Sequence, residues 1–159
     1  MTAPIDHKAL RAACGTFATG VTVISTRTED GDHGMTANAF MSVSLDPPLV
    51  TISLDHKAKL LPKIRSSGRY AVSILAEGME SLAWHFAGKF NQDHSDPFED
   101  CEGLPIVPGA MSVFVTEVVQ EVEAGDHTLF IGRVTHLSRD VEKSPLLFHG
   151  GKFAGLAKA

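Results

Sequence analysis

The amino-acid sequence predicts a mainly β fold, an antiparallel barrel with a few short helices. Roughly six segments are rich in β-branched residues or alternate between apolar and polar side chains, whereas only three show helical periodicity. The predicted strands mostly follow one another without the long helical crossovers that parallel pairing requires. The 159 residues contain no internal repeat and no linker, so residues 1–159 are expected to form a single domain.

The first predicted element is a helix over residues 6–18, for which Asp6 can serve as the N-cap. Its apolar side chains recur at i, i+4 and i+7, namely Leu10, Cys14 and Phe17. This face is expected to pack in the core, with Cys14 as a small core residue rather than a reactive thiol. A strand over 21–26 follows, and a polar turn over 29–34 leads into the second strand of a hairpin.

The stretch 34–48 is dense in small and hydroxyl-bearing residues and ends at Asp46, before two prolines that exclude a helix. In an extended chain its even positions share one face, on which lie Thr36, Asn38, Ser42 and Ser44. Phe40 interrupts this polar face. Two interpretations stay open from the pattern alone. The strand lies against a flat polar ligand, or it is an ordinary barrel strand whose polar face is solvated.

The middle of the chain continues with alternating strands and short amphipathic helices. In order, these are a strand over 49–54, a short helix ending at Ser67, a strand over 70–75 and a helix over 79–87. Gly68 and Gly88 are expected to stop the two helices, and Pro62 is tolerated because it falls in a first turn.

Residues 89–109 contain three prolines together with several Asn, Asp and Gly residues, and are expected to form a long irregular connection. A loop of this length in a compact domain is usually functional or mobile. Two strands over 113–122 and 128–137 form a second hairpin across the turn 123–127, and the segment 145–153 completes the chain.

Composition narrows the class of function. With 43% hydrophobic and 21% charged residues, the chain is typical of soluble globular proteins. Its net charge of −5 argues against nucleic acid as a partner. No apolar run reaches the roughly 20 residues of a membrane helix, and the N-terminus does not resemble a signal peptide. Two distant cysteines without a CxxC motif favour a cytoplasmic protein.

Known cofactor motifs are missing, but an ordered set of segments resembles one family. The sequence lacks GxGxxG, GxxxxGK[ST] and HExxH. The matching segments are FATGVTVI (17–24), GMTANAF (34–40), SVSLDPPL (42–49), SGRYAV (67–72), LA (82–83) with FA (86–87), GDHTLFIGRV (125–134), PLLF (145–148) and GKF (151–153). Together they resemble the flavin reductase family of small split-barrel proteins, the reductase partners of two-component flavin-dependent monooxygenases.

The resemblance implies an FMN-binding split β-barrel that forms a homodimer and reduces FMN or FAD with NADH or NADPH. Reduced flavin then diffuses to a partner monooxygenase. NADH is expected rather than NADPH, because no arginine cluster is placed for a 2′-phosphate. Two other functions on the same barrel stay open. One is a non-catalytic flavin-binding or flavin-carrying protein, and the other is an FMN-dependent oxidoreductase that acts directly on a small substrate.

The resemblance also implies a set of cofactor-binding residues. Those expected to meet the flavin ring or lie near it are Met35, Thr36, Ala37, Asn38, Ser42, Phe86 and Ala87. Phe153 is also expected to bind the cofactor. Those expected to lie along the ribityl chain and phosphate are Ser53, Leu54, Asp55, His56, Lys57, Ala58 and Lys59. The chain departs from the family in having Ala58 and Leu60 where relatives usually carry hydroxyls, so His56, Lys57 and Lys59 are expected to replace those contacts with charge.

His127 is the expected catalytic residue. In the family, the Gly-Asp-His turn places its histidine near the nicotinamide and the flavin, where an imidazole can stabilise negative charge on the flavin. Asp126 either orients the ring or is only a turn residue. The remaining histidines do not have metal-ligand spacing, so no metal site is expected.

Overall fold

The computed structural model describes residues 2–158 and confirms a mainly β, antiparallel fold with few short helices. The helices are α1 (His7–Cys14), α2 (Leu60–Ser67) and α3 (Glu80–His85), with a 3-10 turn at Gln92–His94. The strands are β1 (Thr19–Gly20), β2 (Thr22–Thr28), β3 (Gly31–Ala37), β4 (Phe40–Leu45), β5 (Pro48–Asp55), β6 (Arg69–Ile74), β7 (Glu99–Cys101), β8 (Leu104–Ile106), β9 (Ser112–Ala124), β10 (His127–Arg139), β11 (Leu147–His149) and β12 (Lys152–Ala154). None of the helices within residues 2–158 is both long enough and apolar enough to cross a bilayer.

Seven strands form one antiparallel sheet in the order β3-β2-β6-β9-β10-β5-β4. Its two edge strands, β3 and β4, are consecutive in the chain and are joined only by Asn38 and Ala39. In a flat sheet these edges would lie about 29 Å apart, six spacings of about 4.8 Å. Three Cα steps from Ala37 to Phe40 reach at most about 11 Å. The sheet therefore curls until its edges approach each other, in accord with the predicted barrel.

The interior of the curled sheet is filled by a closely packed apolar cluster. Helix α2 covers it with Leu60, Leu61 and Ile64, and Gly68 ends that helix in the left-handed conformation (φ 71°). Tyr70 is fully buried and donates its hydroxyl hydrogen to the carbonyl of Phe130 over 2.9 Å. Because every strand of the barrel contributes to this core, the strands that carry the candidate site have a rigid support.

A second, three-stranded sheet lies outside the barrel, in the order β1-β11-β12. It brings the segment before β2 next to the C-terminal part of the chain, with Thr19 opposite Phe148 and Phe148 opposite Phe153. A neighbouring apolar cluster joins this sheet to α3; its buried members are Val21, Val23, Leu75, Leu82, Ala83, Val107 and Leu146.

The predicted packing of the first helix is wrong. Asp6 does cap α1, since its carboxylate accepts from the amide of Ala9 over 3.1 Å. However, none of the helix residues is buried: Cys14 is exposed rather than in the core, Leu10 is 54% exposed, and Phe17 beyond the helix is 77% exposed. The spacing of apolar residues predicts that one face of a helix is apolar. It does not predict whether other parts of the same chain cover that face.

The stretch 34–48 is not one continuous strand. It breaks after Ala37, and a register shift between Ser42 and Ser44 interrupts the pairing of β4 with β5. The single polar face expected for its even positions is therefore interrupted twice. The turn expected at 29–34 is also wrong, because β3 begins at Gly31 and the β2–β3 hairpin closes through Glu29 and Asp30.

The segment 89–109 is less irregular than expected. Strands β7 and β8 pair as a short hairpin within it. Leu104 and Ile106 are buried in a third apolar cluster against Val113 and Val115. Three prolines and two glycines interrupt this segment, and such residues conceal short strands in the sequence pattern.

Candidate active site

A cleft lies where the end of β3 meets the end of α3 and the outer three-stranded sheet. Its volume is about 180 Å³. The lining residues are Val21, Thr36, Ala37, Asn38, Trp84, Ala87, Phe148 and Phe153. The cleft therefore joins residues from four separate parts of the sequence, five of which the sequence analysis assigns to the cofactor: Thr36, Ala37, Asn38, Ala87 and Phe153.

Hydrogen bonds fix β3 against α3 and set the shape of the cleft. The amide of Thr36 donates to the carbonyl of Phe86 over 3.1 Å, and the Thr36 hydroxyl donates to the carbonyl of Ala83. From the other side, the Thr22 hydroxyl donates to the carbonyl of Ala37 over 2.7 Å. The hydrogen of the Thr36 hydroxyl is thus used inside the protein, so this hydroxyl can contribute only as an acceptor towards a ligand.

Aromatic rings form the opposite wall. Phe153 stands edge-on to Trp84 with ring centroids 5.2 Å apart, and edge-on to Phe148 with centroids 5.5 Å apart. Lys89 places its Nζ 4.1 Å from the centroid of the Trp84 ring, in a cation–π contact. Such a wall presents flat apolar surface and suits a planar ring.

A close approach explains the glycine of β3 in this region. A Cβ built on Gly34 would lie 2.8 Å from Phe98 and 2.9 Å from Phe86. The two rings lie against each other with centroids 5.2 Å apart. Because no side chain stands between β3 and these rings, the α3 end can lie directly on the strand.

A second group of expected residues, 53–59, forms a strip beside the cleft in which His56, Lys57 and Lys59 are exposed. The amide of Ser53 donates to the carbonyl of Ala39 over 3.3 Å, which ties the strip to the β3–β4 connection. Further along, Asp55 lies opposite His127 in the β5–β10 ladder, and the amide of His56 donates to the carbonyl of Asp126 over 2.9 Å. The fold therefore brings His127 to the 53–57 segment, although 70 or so residues separate them in sequence.

His127 is hydrogen-bonded to the side chain of its neighbour, Asp126. Its Nδ1 lies 2.8 Å from the Asp126 carboxylate, and that contact lowers the pKa of Asp126 below its ordinary value. With Nδ1 held in this way, Nε2 is the nitrogen left to meet a ligand. The ligand atoms of Asp55, Asp126 and His127 all lie within 4.8 Å of one another, and Asp126 and His127 are already paired.

The three residues expected to bind the flavin phosphate with charge differ in whether they already form ion pairs within the protein. His56 pairs with Glu123 over 2.8 Å, and Arg65 binds the same carboxylate over 3.0 Å. Glu123 has a lowered pKa because its carboxylate accepts hydrogen bonds from the Thr128 hydroxyl, from His56 and from Arg65. Lys57 and Lys59 are exposed, and neither belongs to an ion pair among the residues that the structure describes.

The other assigned residues do not line the cleft. Met35, Lys59 and Phe86 line a separate groove of about 420 Å³ together with His33 and Lys63. Leu54 is fully buried in the core, so only its backbone can reach a cofactor, and Ala58 packs against that same core.

Ser42 lies on the edge strand β4, opposite Val50, and does not line the cleft. Val21, Trp84 and Phe148 line the cleft although the sequence analysis does not assign them to the cofactor. Phe148 belongs to the PLLF segment, one of the motifs that carry the family resemblance, and this motif could have indicated its place in the site.

The cleft residues fit one ring of a flavin or of a nicotinamide nucleotide. Ligand pockets for whole cofactors usually occupy about 300–1,000 Å³, which exceeds the 180 Å³ of the cleft. A flavin would therefore place part of its ring in the cleft and extend along the strip. Apolar walls with a few short polar groups at the edge match the flat faces and the polar imide edge of such a ring.

Comparison with known proteins decides the family. Residues 14–157 match the family described as Flavin reductase like domain. The chain belongs to the flavin reductase family. The flavin reductase expected from the ordered motifs is thereby confirmed.

Individual relatives of this flavin reductase narrow the class further. An NADH-dependent flavin reductase from Rhodococcus sp is 47% identical over 150 residues, which cover 92% of this chain and 85% of that protein. The reductase component of 4-hydroxyphenylacetate 3-monooxygenase from Thermus thermophilus is 37% identical over 145 residues, which cover 89% of this chain and 91% of that protein.

A solved structure supports the same class. It is the NADH:FAD oxidoreductase of Streptomyces globisporus C-1027 in complex with NAD and FAD fragments, with a TM-score of 0.88 at 36% identity, covering 99% of this chain and 96% of that chain. These comparisons confirm the expected enzyme class, an NADH-dependent oxidoreductase of flavins.

Proposed function

We propose that this protein uses NADH to reduce FMN or FAD and supplies the reduced flavin to a partner monooxygenase. One observation carries the proposal. The cleft with its aromatic wall and the strip that ends at His127 adjoin through the Asn38–Ala39 connection. A ring in the cleft and a ribityl phosphate along the strip would therefore occupy a continuous surface.

The residues divide the work of binding. Phe153 and Phe148 offer ring faces and edges for stacking, and Asn38 offers an amide that can donate and accept hydrogen bonds. Lys57 and Lys59 supply positive charge for the flavin phosphate where the family's usual hydroxyls are missing.

His127 acts on the charge that reduction creates. A bound flavin supplies the electron-accepting ring to which NADH transfers two electrons and a proton. The Asp126 carboxylate holds Nδ1 of His127 over 2.8 Å, so Nε2 is left to hydrogen-bond the polar edge of the ring, where negative charge develops. This assigns His127 a direct role and Asp126 a positioning role.

Assembly and location complete the proposal. Leu45 is 94% exposed and Met41 59% exposed on the edge strand β4, and α1 also leaves apolar residues uncovered. Exposed apolar surface of this kind supports a homodimer, in which a second copy would cover it. The two cysteines, Cys14 and Cys101, are both free, which supports a cytoplasmic location.

The test is a steady-state assay of the purified protein. NADH and NADPH absorbance are followed with added FMN, FAD or riboflavin, and the same protein is then mixed with a flavin-dependent monooxygenase. Rapid loss of NADH that requires added flavin is expected. A yellow protein without turnover would instead indicate a flavin carrier, and turnover of a small substrate without free flavin would indicate a direct oxidoreductase.

A further inference from the structure

A row of three side chains crosses the outer sheet and ends in a threonine. Thr19 of β1 lies opposite Phe148 of β11, which lies opposite Phe153 of β12. Directly opposed residues in neighbouring strands project from the same face of a sheet. Because Phe148 and Phe153 both line the cleft, Thr19 lies on the face of the sheet that borders the cleft.

The Thr19 hydroxyl has no hydrogen-bond partner. Its Oγ1 is buried, and it is the one buried side-chain nitrogen or oxygen between residues 2 and 158 that lacks a partner. Other buried threonines in the same fold are satisfied. Thr22 donates to the carbonyl of Ala37, Thr26 to the carbonyl of Arg69 and Thr116 to the carbonyl of Tyr70. A lone exception on the sheet face that borders the cleft points to a partner outside the protein, since buried hydroxyls are normally paired.

We propose that the Thr19 hydroxyl recognises the amide-type edge of a planar ring that enters the cleft. A hydroxyl both donates and accepts, which matches a group that carries C=O and N–H side by side. Two rings in the proposed reaction have that chemistry, the nicotinamide with its carboxamide and the flavin with its imide. This inference rests on the proposed function and adds to it a specificity-determining residue.

The geometry favours recognition of a ring edge rather than a ring face. Thr19 and Phe153 are separated by two interstrand spacings, about 10 Å. Phe148 lies between them and Trp84 packs edge-on against Phe153. A flat ring lying along this row would contact the phenylalanines with its apolar surface and direct one end towards Thr19. Thr19 itself does not line the cleft and its Oγ1 is buried, so contact with the ring requires the neighbouring side chains to shift.

The test compares Thr19→Val, which removes the hydroxyl at nearly constant shape, with Thr19→Ser, which keeps it. The Kd values for FMN and FAD are measured by fluorescence titration, and the Kd for NAD⁺ is measured by calorimetry. The KM for NADH is measured in a turnover assay. Thr19→Val is expected to weaken the binding of one ring by about tenfold, whereas Thr19→Ser stays within about threefold of the wild type. A change confined to NAD⁺ and NADH identifies the carboxamide, and a change confined to flavin identifies the imide.

Thermal unfolding separates recognition from a structural role. Because the hydroxyl is unpaired in the free protein, Thr19→Val should unfold at the same temperature as the wild type or higher. The matched control is Thr116→Val, which loses a bond to the Tyr70 carbonyl and should unfold at a lower temperature with unchanged ring binding.

Three results would overturn the assignment. If Thr19→Val binds both flavin and NAD⁺ with wild-type affinity, the hydroxyl contacts neither ring and the Thr19 assignment is overturned. The proposed function is not affected by that result. A large drop in unfolding temperature for Thr19→Val would show a structural bond. A wild type that binds neither flavin nor NAD⁺ would overturn the proposed function and this assignment together.

Discussion

Replacing Gly34 with alanine tests the packing that shapes the cleft. The new Cβ would lie 2.8 Å from the Phe98 ring and 2.9 Å from the Phe86 ring, closer than real Cβ contacts allow. Phe86 cannot easily move away, because its carbonyl accepts a hydrogen bond from the Thr36 amide and its ring packs against the apolar cluster beside α3. Overpacking of this kind costs about 1–3 kcal/mol.

Two measurements follow from this argument. At roughly 2–4 °C per kcal/mol for a chain of this size, the midpoint of thermal unfolding should fall by about 2–12 °C. Displacement of Phe86 moves the end of α3 and hence Ala87 at the cleft, so flavin Kd should rise as well. Both are measured on the purified protein, by circular dichroism and by fluorescence titration.

The matched control is Gly20→Ala, because a Cβ at Gly20 meets nothing within 4 Å. It should be neutral or slightly stabilising, since alanine restricts the unfolded chain. In a Phe98→Leu background, Gly34→Ala should cost less, which a double-mutant cycle detects. If Gly34→Ala is as stable as Gly20→Ala and binds flavin equally well, the reasoning about close approach is refuted.

Three further predictions concern the strip and α3. His127→Ala should lower kcat by about tenfold or more with flavin Kd nearly unchanged, and wild-type turnover would remove its role. Lys57→Ala and Lys59→Ala should each weaken FMN binding by about two- to fivefold and leave riboflavin, which has no phosphate, unaffected; equal losses for both ligands would refute the charge assignment. Burial, and then the nearby charge of His94, lowers the pKa of His85, whose Nδ1 accepts the Asn91 amide. The unfolded chain therefore binds the proton more readily, so stability should fall as the pH drops below about 6.5, and His85→Asn should flatten that fall in pH-dependent unfolding.

The strand pattern was predictable because alternation and turn residues are local. The β9–β10 hairpin around Gly125 and the stop of α2 at Gly68 follow from residues within a few positions of each other. The break at Asn38 does not, because it depends on the curling of the whole sheet, which brings its two edge strands β3 and β4 together. Likewise, the sequence of α1 predicts an apolar face but does not indicate that this face is exposed in the folded chain.

The candidate site was predictable only as a set of motifs. The resemblance supplied Thr36–Asn38, Ala87 and Phe153, which the fold does place around one cleft. Trp84 was considered for the flavin edge but was not assigned, because an aromatic residue on an amphipathic helix can equally pack in the core until the neighbouring sheet is known. The adjacency of His127 and Asp55 depends on strand register, which no short-range signal encodes.

The outer three-stranded sheet also bears on the order in which the cleft is completed during folding. Thr19 of β1 lies opposite Phe148 of β11, about 130 residues further along the sequence. Pairing between such distant segments must close a long loop, which makes it slower than the formation of local hairpins. One wall of the cleft is therefore expected to form later than the β2–β3 and β9–β10 hairpins.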